Sequence, residues 1–270
     1  MSTVKNTLKK YEIRPLKRLG QNFLVDYRII RKVILAADLH KTDIVLEIGP
    51  GTGILTKELA KRTRNVVAVE KDLRMLDILK EELKGFSNVN IIHGDILKLR
   101  LIPYTLKPYK VVANLPFYLT AHVIRKFLEL AEARPLLILI VQKEVAQRIV
   151  AKPPCMNLLA VSVQFYAQPK IISYIPKTSF WPQPKVDSAI IKITPSELLI
   201  SEINRLFFRV VRAGFSQPRK QLVNNLSKKL QLDKEKASLW LLKNKVRPEQ
   251  RAETLTIEDW VNLAKTFNAQ

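Results

Sequence analysis

Ile44-Val45-Leu46-Glu47-Ile48-Gly49-Pro50-Gly51-Thr52-Gly53 is the stretch on which the fold turns. Five residues of strand character run into a turn that holds three of the chain's seven glycines, and a helical pattern to about Lys61 follows at once. Glycine lets the backbone turn sharply and admits a ligand where a Cβ would clash, while the helix after it offers unpaired N–H groups at its start. Outward from this turn, strand and helix signals alternate. Asp26 is placed to cap a helix carrying Ile29, Ile30, Val33, Ile34 and Ala37. Downstream come a strand at Val66–Val69, a helix at Asp72–Lys84 ended by Gly85, strands at Val89–Ile92 and Val111–Ala113, a helix at Thr120–Ala131 and an all-apolar strand at Leu136–Val141. Strands alternating with helices of this length predict an α/β fold with a parallel sheet covered on both faces.

The rhythm then changes. Leu158–Ala167, Lys170–Ile175 and Asp187–Thr194 read as strands, separated by Gln168-Pro169 and the Pro-rich stretch Pro176–Pro184, which predicts an antiparallel ending. Beyond Pro195-Ser196 the pattern is helical at Leu198–Ala213, Arg219–Leu230, Asp233–Lys243 and Thr256–Phe267, the last opened by a cap-like Thr256 with Asp259 three residues on. We therefore expect a catalytic domain over 1–196 and a small all-helical domain over 197–270.

Composition narrows the function. The 270 residues carry 46 basic and 24 acidic side chains, a formal net charge of +22, which makes a polyanion the expected partner. One cysteine, Cys155, and three scattered histidines, His40, His93 and His122, exclude an internal disulfide and a His/Cys metal cluster. The longest apolar run, Leu136–Val141, is far short of the ~20 residues a membrane-spanning helix needs. Lys5, Lys9, Lys10, Arg14, Lys17 and Arg18 leave no apolar core for a secretory leader, so a cytoplasmic protein without a membrane partner is expected, with monomer as the default state.

Chemistry gathers at strand ends. Glu70 closes a strand about twenty residues past Gly49, where nucleotide-binding folds accept ribose hydroxyls. A dinucleotide turn would want glycine at Ile54, and Glu47 would repel a pyrophosphate, whereas a carboxylate there suits a cationic ligand such as S-adenosylmethionine. Asp95 could accept from an adenine amine or simply cap the turn after it. Asn114-Leu115-Pro116-Phe117 follows another strand. An amide oxygen with a nearby backbone carbonyl can hold both hydrogens of an adenine N6 amine and restore its nucleophilicity. Pro116 fixes φ, and Phe117 offers a face for an unstacked base. The bland reading of the tetrapeptide is an Asx turn before a core Phe.

These segments resemble one family. Arg18-Leu19-Gly20-Gln21-Asn22-Phe23-Leu24, Leu46–Gly53, Asn114–Phe117, Gln142–Arg148 and Phe180–Ser188 are similar to the small-subunit ribosomal RNA adenine dimethyltransferases, and the match runs through nearly the whole chain. The resemblance implies a seven-stranded class I, Rossmann-like methyltransferase sheet with an appended helical, RNA-binding domain. It implies S-adenosylmethionine as cofactor and dimethylation of two adjacent adenines near the 3′ end of small-subunit RNA, in free form or in a pre-30S particle. It places cofactor contacts at Asn22, Leu24, Gly49, Gly51, Glu70, Asp95 and Asn114, and the target amine and base at Asn114, Leu115, Pro116 and Phe117. Asn22 and Leu24 come from the resemblance alone. The chain departs from the family pattern at Phe117, where many members have Tyr, and over Cys155–Ser162, where bacterial members usually carry Tyr-Gly before Leu-Ser. Rival readings are a large-subunit RNA methyltransferase of the macrolide-resistance type, a non-catalytic ribosome-assembly or transcription factor and a nicotinamide dehydrogenase.

Overall fold

Val, Ile and Leu fill the strands because both faces of a parallel sheet are covered. In the computed structural model, which describes residues 3–99, 109–129, 134–196 and 203–267, nine strands are found. They are β1 (Phe23–Leu24), β2 (Ile44–Ile48), β3 (Asn65–Glu70), β4 (Val89–His93), β5 (Tyr109–Asn114), β6 (Leu136–Gln142), β7 (Ala167–Ile175), β8 (Phe180–Trp181) and β9 (Ser188–Pro195). Seven form one sheet in the order β4-β3-β2-β5-β6-β9-β7. The strands β2 to β6 run parallel to their neighbours, while β9 joins β6 antiparallel, so the expected antiparallel ending is present. This is a Rossmann-like order that reverses direction at β2, with β3 on one side and β5 on the other.

Helices cover the sheet. α1 (Thr3–Lys10) places Val4 and Leu8 in an apolar cluster with Met75, Ile78 and Leu79. α2 (Tyr27–Ala37), capped by the Asp26 side chain on Arg28 N–H, packs Ile30, Val33 and Ala37 against Val45 and Ile138 of the sheet. α3 (Ile54–Ala60), α4 (Met75–Leu83) and α5 (Thr120–Leu128) occupy the crossovers, and α6 (Lys143–Ile149) follows β6.

The sequence reading of Leu158–Ala167 as a strand is corrected. Leu158–Gln164 forms a helix, α7, because the Asn157 side chain accepts from Leu159 and Ala160 N–H and so caps its start. The strand β7 begins only at Ala167. By contacts the chain divides into Met1–Ala146 with Pro169–Pro195, and Gln147–Gln168 with Ser196–Gln270. The segment carrying α7 thus groups with the helical unit and not with the sheet, as a single boundary near 196 had placed it. Within that unit Phe165 stacks on Phe207 at 3.7 Å between ring centroids.

The helical unit also holds α8 (Asn204–Gly214), α9 (Leu222–Leu230), α10 (Lys234–Lys243) and α11 (Ile257–Lys265). The expected start of the second and fourth helices is refined to Leu222 and Ile257, and residues 198–202 and 130–131 of two expected helices lie outside the described residues. Thr256 and Asp259 form a reciprocal capping box. Gly214 lies against the fully buried Trp260, and a Cβ there would stand 2.4 Å from the indole ring. Alanine ordinarily strengthens a helix by about 1 kcal/mol over glycine. Here overpacking reverses the sign, and Gly214→Ala is expected to destabilise by about 1–3 kcal/mol. Urea unfolding followed by Trp fluorescence checks this, and an unchanged or higher midpoint contradicts it.

Candidate active site

Parallel register sets the site. Ile48 lies beside Val69 and Ala113, Glu70 beside His93, and Asn114 beside Ile140, so four neighbouring strands end at one edge. Gly49, Glu70, Asp95 and Asn114, each following or closing its own strand, line a single pocket there. Gly51, Leu115, Pro116, Phe117, Asn22 and Leu24 line the same pocket, so every residue expected at the site is brought to it. Open α/β sheets leave their crevice where the winding reverses, here beside β2.

The turn after β2 is left-handed at Gly49 (φ +69°) and Gly51 (φ +57°). A Cβ on Gly51 would meet the Phe23 ring at 3.0 Å, so its absence lets the lead-in strand close over the turn. The Gly51 N–H donates to Glu70 Oε2 at 3.1 Å and the Asp72 N–H donates to Oε1 at 2.8 Å. Each carboxylate oxygen has a second lone pair with which to accept a hydroxyl. Burial raises the Glu70 carboxyl above its ordinary range, although these backbone donors oppose the shift.

Glu47 is nearly inaccessible, and its Oε2 has no hydrogen-bond partner among the described residues. Burial, with the Glu70 charge adding to it, pushes the Glu47 carboxyl up to about 8. An orphaned buried carboxyl lining a pocket is what a cationic ligand would satisfy, so the residues present fit a sulfonium-bearing cofactor.

Asp95 serves in two ways. Its Oδ1 accepts from Leu97 N–H at 3.0 Å, capping the turn after β4, and its Oδ2 lies 2.9 Å from Lys71 Nζ. The Lys71 ammonium holds the Asp95 carboxyl below its ordinary range.

Asn114 is oriented from a distance in sequence. Its Nδ2 donates to the Asn22 carbonyl at 2.9 Å, which leaves Oδ1 as the acceptor side of the amide. Asn22 is itself tied by Nδ2 to the Gly20 carbonyl at 3.2 Å. Gln21 anchors the same lead-in by donating to Asp72 Oδ2 at 2.8 Å, and Arg74 grips that carboxylate with two nitrogens at 2.9 and 2.5 Å. Pairing of β1 with β8 sets Phe23 opposite Trp181 and Leu24 opposite Phe180. Phe117 opens a single 3-10 turn, half-buried, with Tyr118 half exposed beside it.

Among the lining residues that escaped the sequence reading are Lys71, Tyr118, Phe180 and Ser188. Lys71 and Tyr118 adjoin predicted residues and carry no signal of their own. Phe180 and Ser188 sit at the ends of a quoted family segment, but only the β1–β8 and β6–β9 pairings bring them to the pocket. Among the described residues no cluster of His, Cys, Asp and Glu could hold a metal ion.

Comparison with known proteins places this pocket in context. A profile of the family described as Ribosomal RNA adenine dimethylase matches residues 14–269. A Ribosomal RNA small subunit methyltransferase A from Dehalococcoides mccartyi is 43% identical over 99% of this chain and 93% of its own length. A dimethyladenosine transferase from Plasmodium falciparum superposes with a TM-score of 0.76 at 26% identity, covering 89% of this chain and 95% of that one. The 23S rRNA methyltransferase ErmE superposes with a TM-score of 0.75 at 25% identity, covering 90% of this chain and 98% of that one.

Glu47 makes stability depend on pH. An unfolded chain releases the proton near 4.5, the folded one near 8, so this contribution is full below pH 4.5 and is lost as pH rises through about 8. Glu47→Gln cannot titrate and is expected to lose less stability between pH 5 and pH 8 than the parent, as read from urea midpoints. Parallel pH profiles for the two proteins would show that the carboxyl is not shifted.

Proposed function

The chain belongs to the ribosomal RNA adenine dimethylase family, and we propose from that premise that it transfers two methyl groups from S-adenosylmethionine to the N6 amine of each of two adjacent adenines near the 3′ end of small-subunit ribosomal RNA. The single observation that carries this reading at the site is the Asn114 amide, held by Asn22 so that its oxygen is the side left to accept. An adenine amine is a poor nucleophile because its lone pair is delocalised into the ring. Asn114 Oδ1 and a backbone carbonyl of the tetrapeptide hold its hydrogens and draw the nitrogen toward a tetrahedral shape. No strong base is required, since the proton can leave after transfer has made the nitrogen cationic. Pro116, at φ −55°, presets the chain direction at this point, and the Phe117 ring carries the flipped-out base.

Gly49 and Gly51 admit the cofactor's backbone, Glu70 accepts from its ribose, Asp95 from its adenine amine, and the Glu47 carboxyl, which burial keeps protonated up to about pH 8, becomes the counter-charge by losing its proton when the cationic end binds beside it. Bound there, S-adenosylmethionine supplies an electrophilic methyl on a sulfonium. Leu24 and Leu115 wall the pocket with apolar surface. The intact tetrapeptide and glycine turn favour an enzyme over a non-catalytic assembly factor.

Small-subunit specificity rests on the sequence relatives, because the fold alone is equally like a large-subunit enzyme. We place the chain in the cytoplasm, acting as a monomer on a pre-30S particle, with residues 197–270 contributing to RNA binding. No helix among the described residues is long and apolar enough to cross a membrane.

Labelled methyl from the cofactor should appear in small-subunit RNA taken from cells that lack the modification, in dimethyladenosine by mass spectrometry of the digest. Its absence overturns the reading. Asn114→Ala is expected to abolish turnover while leaving RNA affinity within a few-fold, and equal loss of both would remove the residue from the chemistry. Phe117→Ala should cost about 1–3 kcal/mol of base stacking, whereas Phe117→Tyr should be nearly silent in kcat/KM.

A further inference from the structure

We propose that a cleft of the helical unit, lined by Arg205, Arg209, Arg212, Ser216 and Lys229, is a binding site for consecutive backbone phosphates of the ribosomal RNA. The inference rests on the reading of this chain as a ribosomal RNA methyltransferase and assigns part of the grip on substrate to named side chains.

On α8, Arg205, Arg209 and Arg212 recur at intervals of four and three, which puts them on one face, while Phe207, Val210 and Val211 bury the other. At 1.5 Å per residue the row is roughly 10 Å long, the span of about three charges along one strand of a duplex. Lys229 on the neighbouring α9 and the Ser216 hydroxyl add polar groups, the buried Ala213 and Leu230 form the rest of the lining, and all four cations are exposed.

Their charges are left uncancelled, unlike those of Arg28, Arg62, Arg74 and Arg125 in the sheet unit, each of which meets a carboxylate. Among the described residues none of Arg205, Arg209, Arg212 and Lys229 forms an ion pair. Aromatic rings hold two of them instead: Arg209 lies 5.4 Å from the Phe267 centroid and Arg212 5.9 Å from that of Phe208. A guanidinium resting on a ring is oriented by its face and keeps its N–H edges for a ligand, and that planar fork matches phosphate oxygens. Nucleic acid fits better than a lipid surface, because none of the lining side chains is an exposed large hydrophobic that could enter a bilayer.

The test measures affinity for a 3′-terminal small-subunit RNA fragment against salt, together with methyl-transfer kinetics and cofactor affinity, using the full chain. The variants are Arg205→Gln, Arg209→Gln, Arg212→Gln and Lys229→Gln singly, and the three arginine changes combined. Lys84→Gln, an exposed lysine paired with Glu81, controls for net charge alone. Each lost contact should flatten the slope of log affinity against log salt by about 0.7–0.9. The triple variant should flatten it by about 2–3 and raise the RNA KM at least tenfold, with kcat at saturating RNA and cofactor affinity unchanged. Because each single variant is read on the same scale, the result does not depend on how the triple variant folds. Slopes and KM values matching the Lys84→Gln control overturn the proposal. So does an arginine-dependent affinity for phosphatidylserine vesicles with none for RNA, which would assign the cleft to a membrane. If the parent binds RNA with an arginine-dependent slope but transfers no methyl, the cleft stands and the enzymatic reading falls.

Discussion

In a parallel sheet the hydrogen bonds between strands are evenly spaced, so once Val45 lies beside Val66 and Lys110 the ends of β2, β3 and β5 are fixed relative to one another. β4 follows β3 in the same register. A one-residue slip of any of these strands would turn its side chains to the other face and move its last residue away from the common edge. The close packing of differently shaped buried side chains on both faces opposes that slip. Fold stability and the placing of Gly49, Glu70, Asp95 and Asn114 are therefore one constraint, met by the packing of residues that never touch a ligand.

Electrostatics divides the molecule into two kinds of surface. The pocket gathers Glu47, Glu70 and Asp95, within a chain whose formal net charge is +22. Glu47 is the one of the three placed for the cationic end of a donor, Asp95 being paired with Lys71, while the excess of Lys and Arg elsewhere faces a polyanion. Glu58, Asp72 and Asp43 are neutralised locally by basic neighbours and so are removed from both tasks.

Much of this arrangement was legible in the amino-acid order, because its signals are local. The strand, glycine turn and helix around Gly49 declare themselves by spacing, and Glu70 and Asn114 stand where strands end. Leu158–Gln164 was misread because a short apolar run has no decisive period, and the informative residue was Asn157 at its cap. Long-range partners were beyond reach. Nothing near Phe23 indicates that it will lie opposite Trp181, and nothing near Tyr118 or Lys71 shows that the pocket includes them. The helix Thr3–Lys10 is polar on average and became identifiable only through the two apolar residues, Val4 and Leu8, that it buries.

The bond from Asn114 to the Asn22 carbonyl spans ninety-two positions of sequence. The acceptor amide is thus aimed by a segment that belongs to no strand of the main sheet, so the scaffold and the alignment of its reactive group are separable. A cut in the lead-in between Asn22 and α2 would break no strand of the large sheet, and it would free the carbonyl that steers the amide.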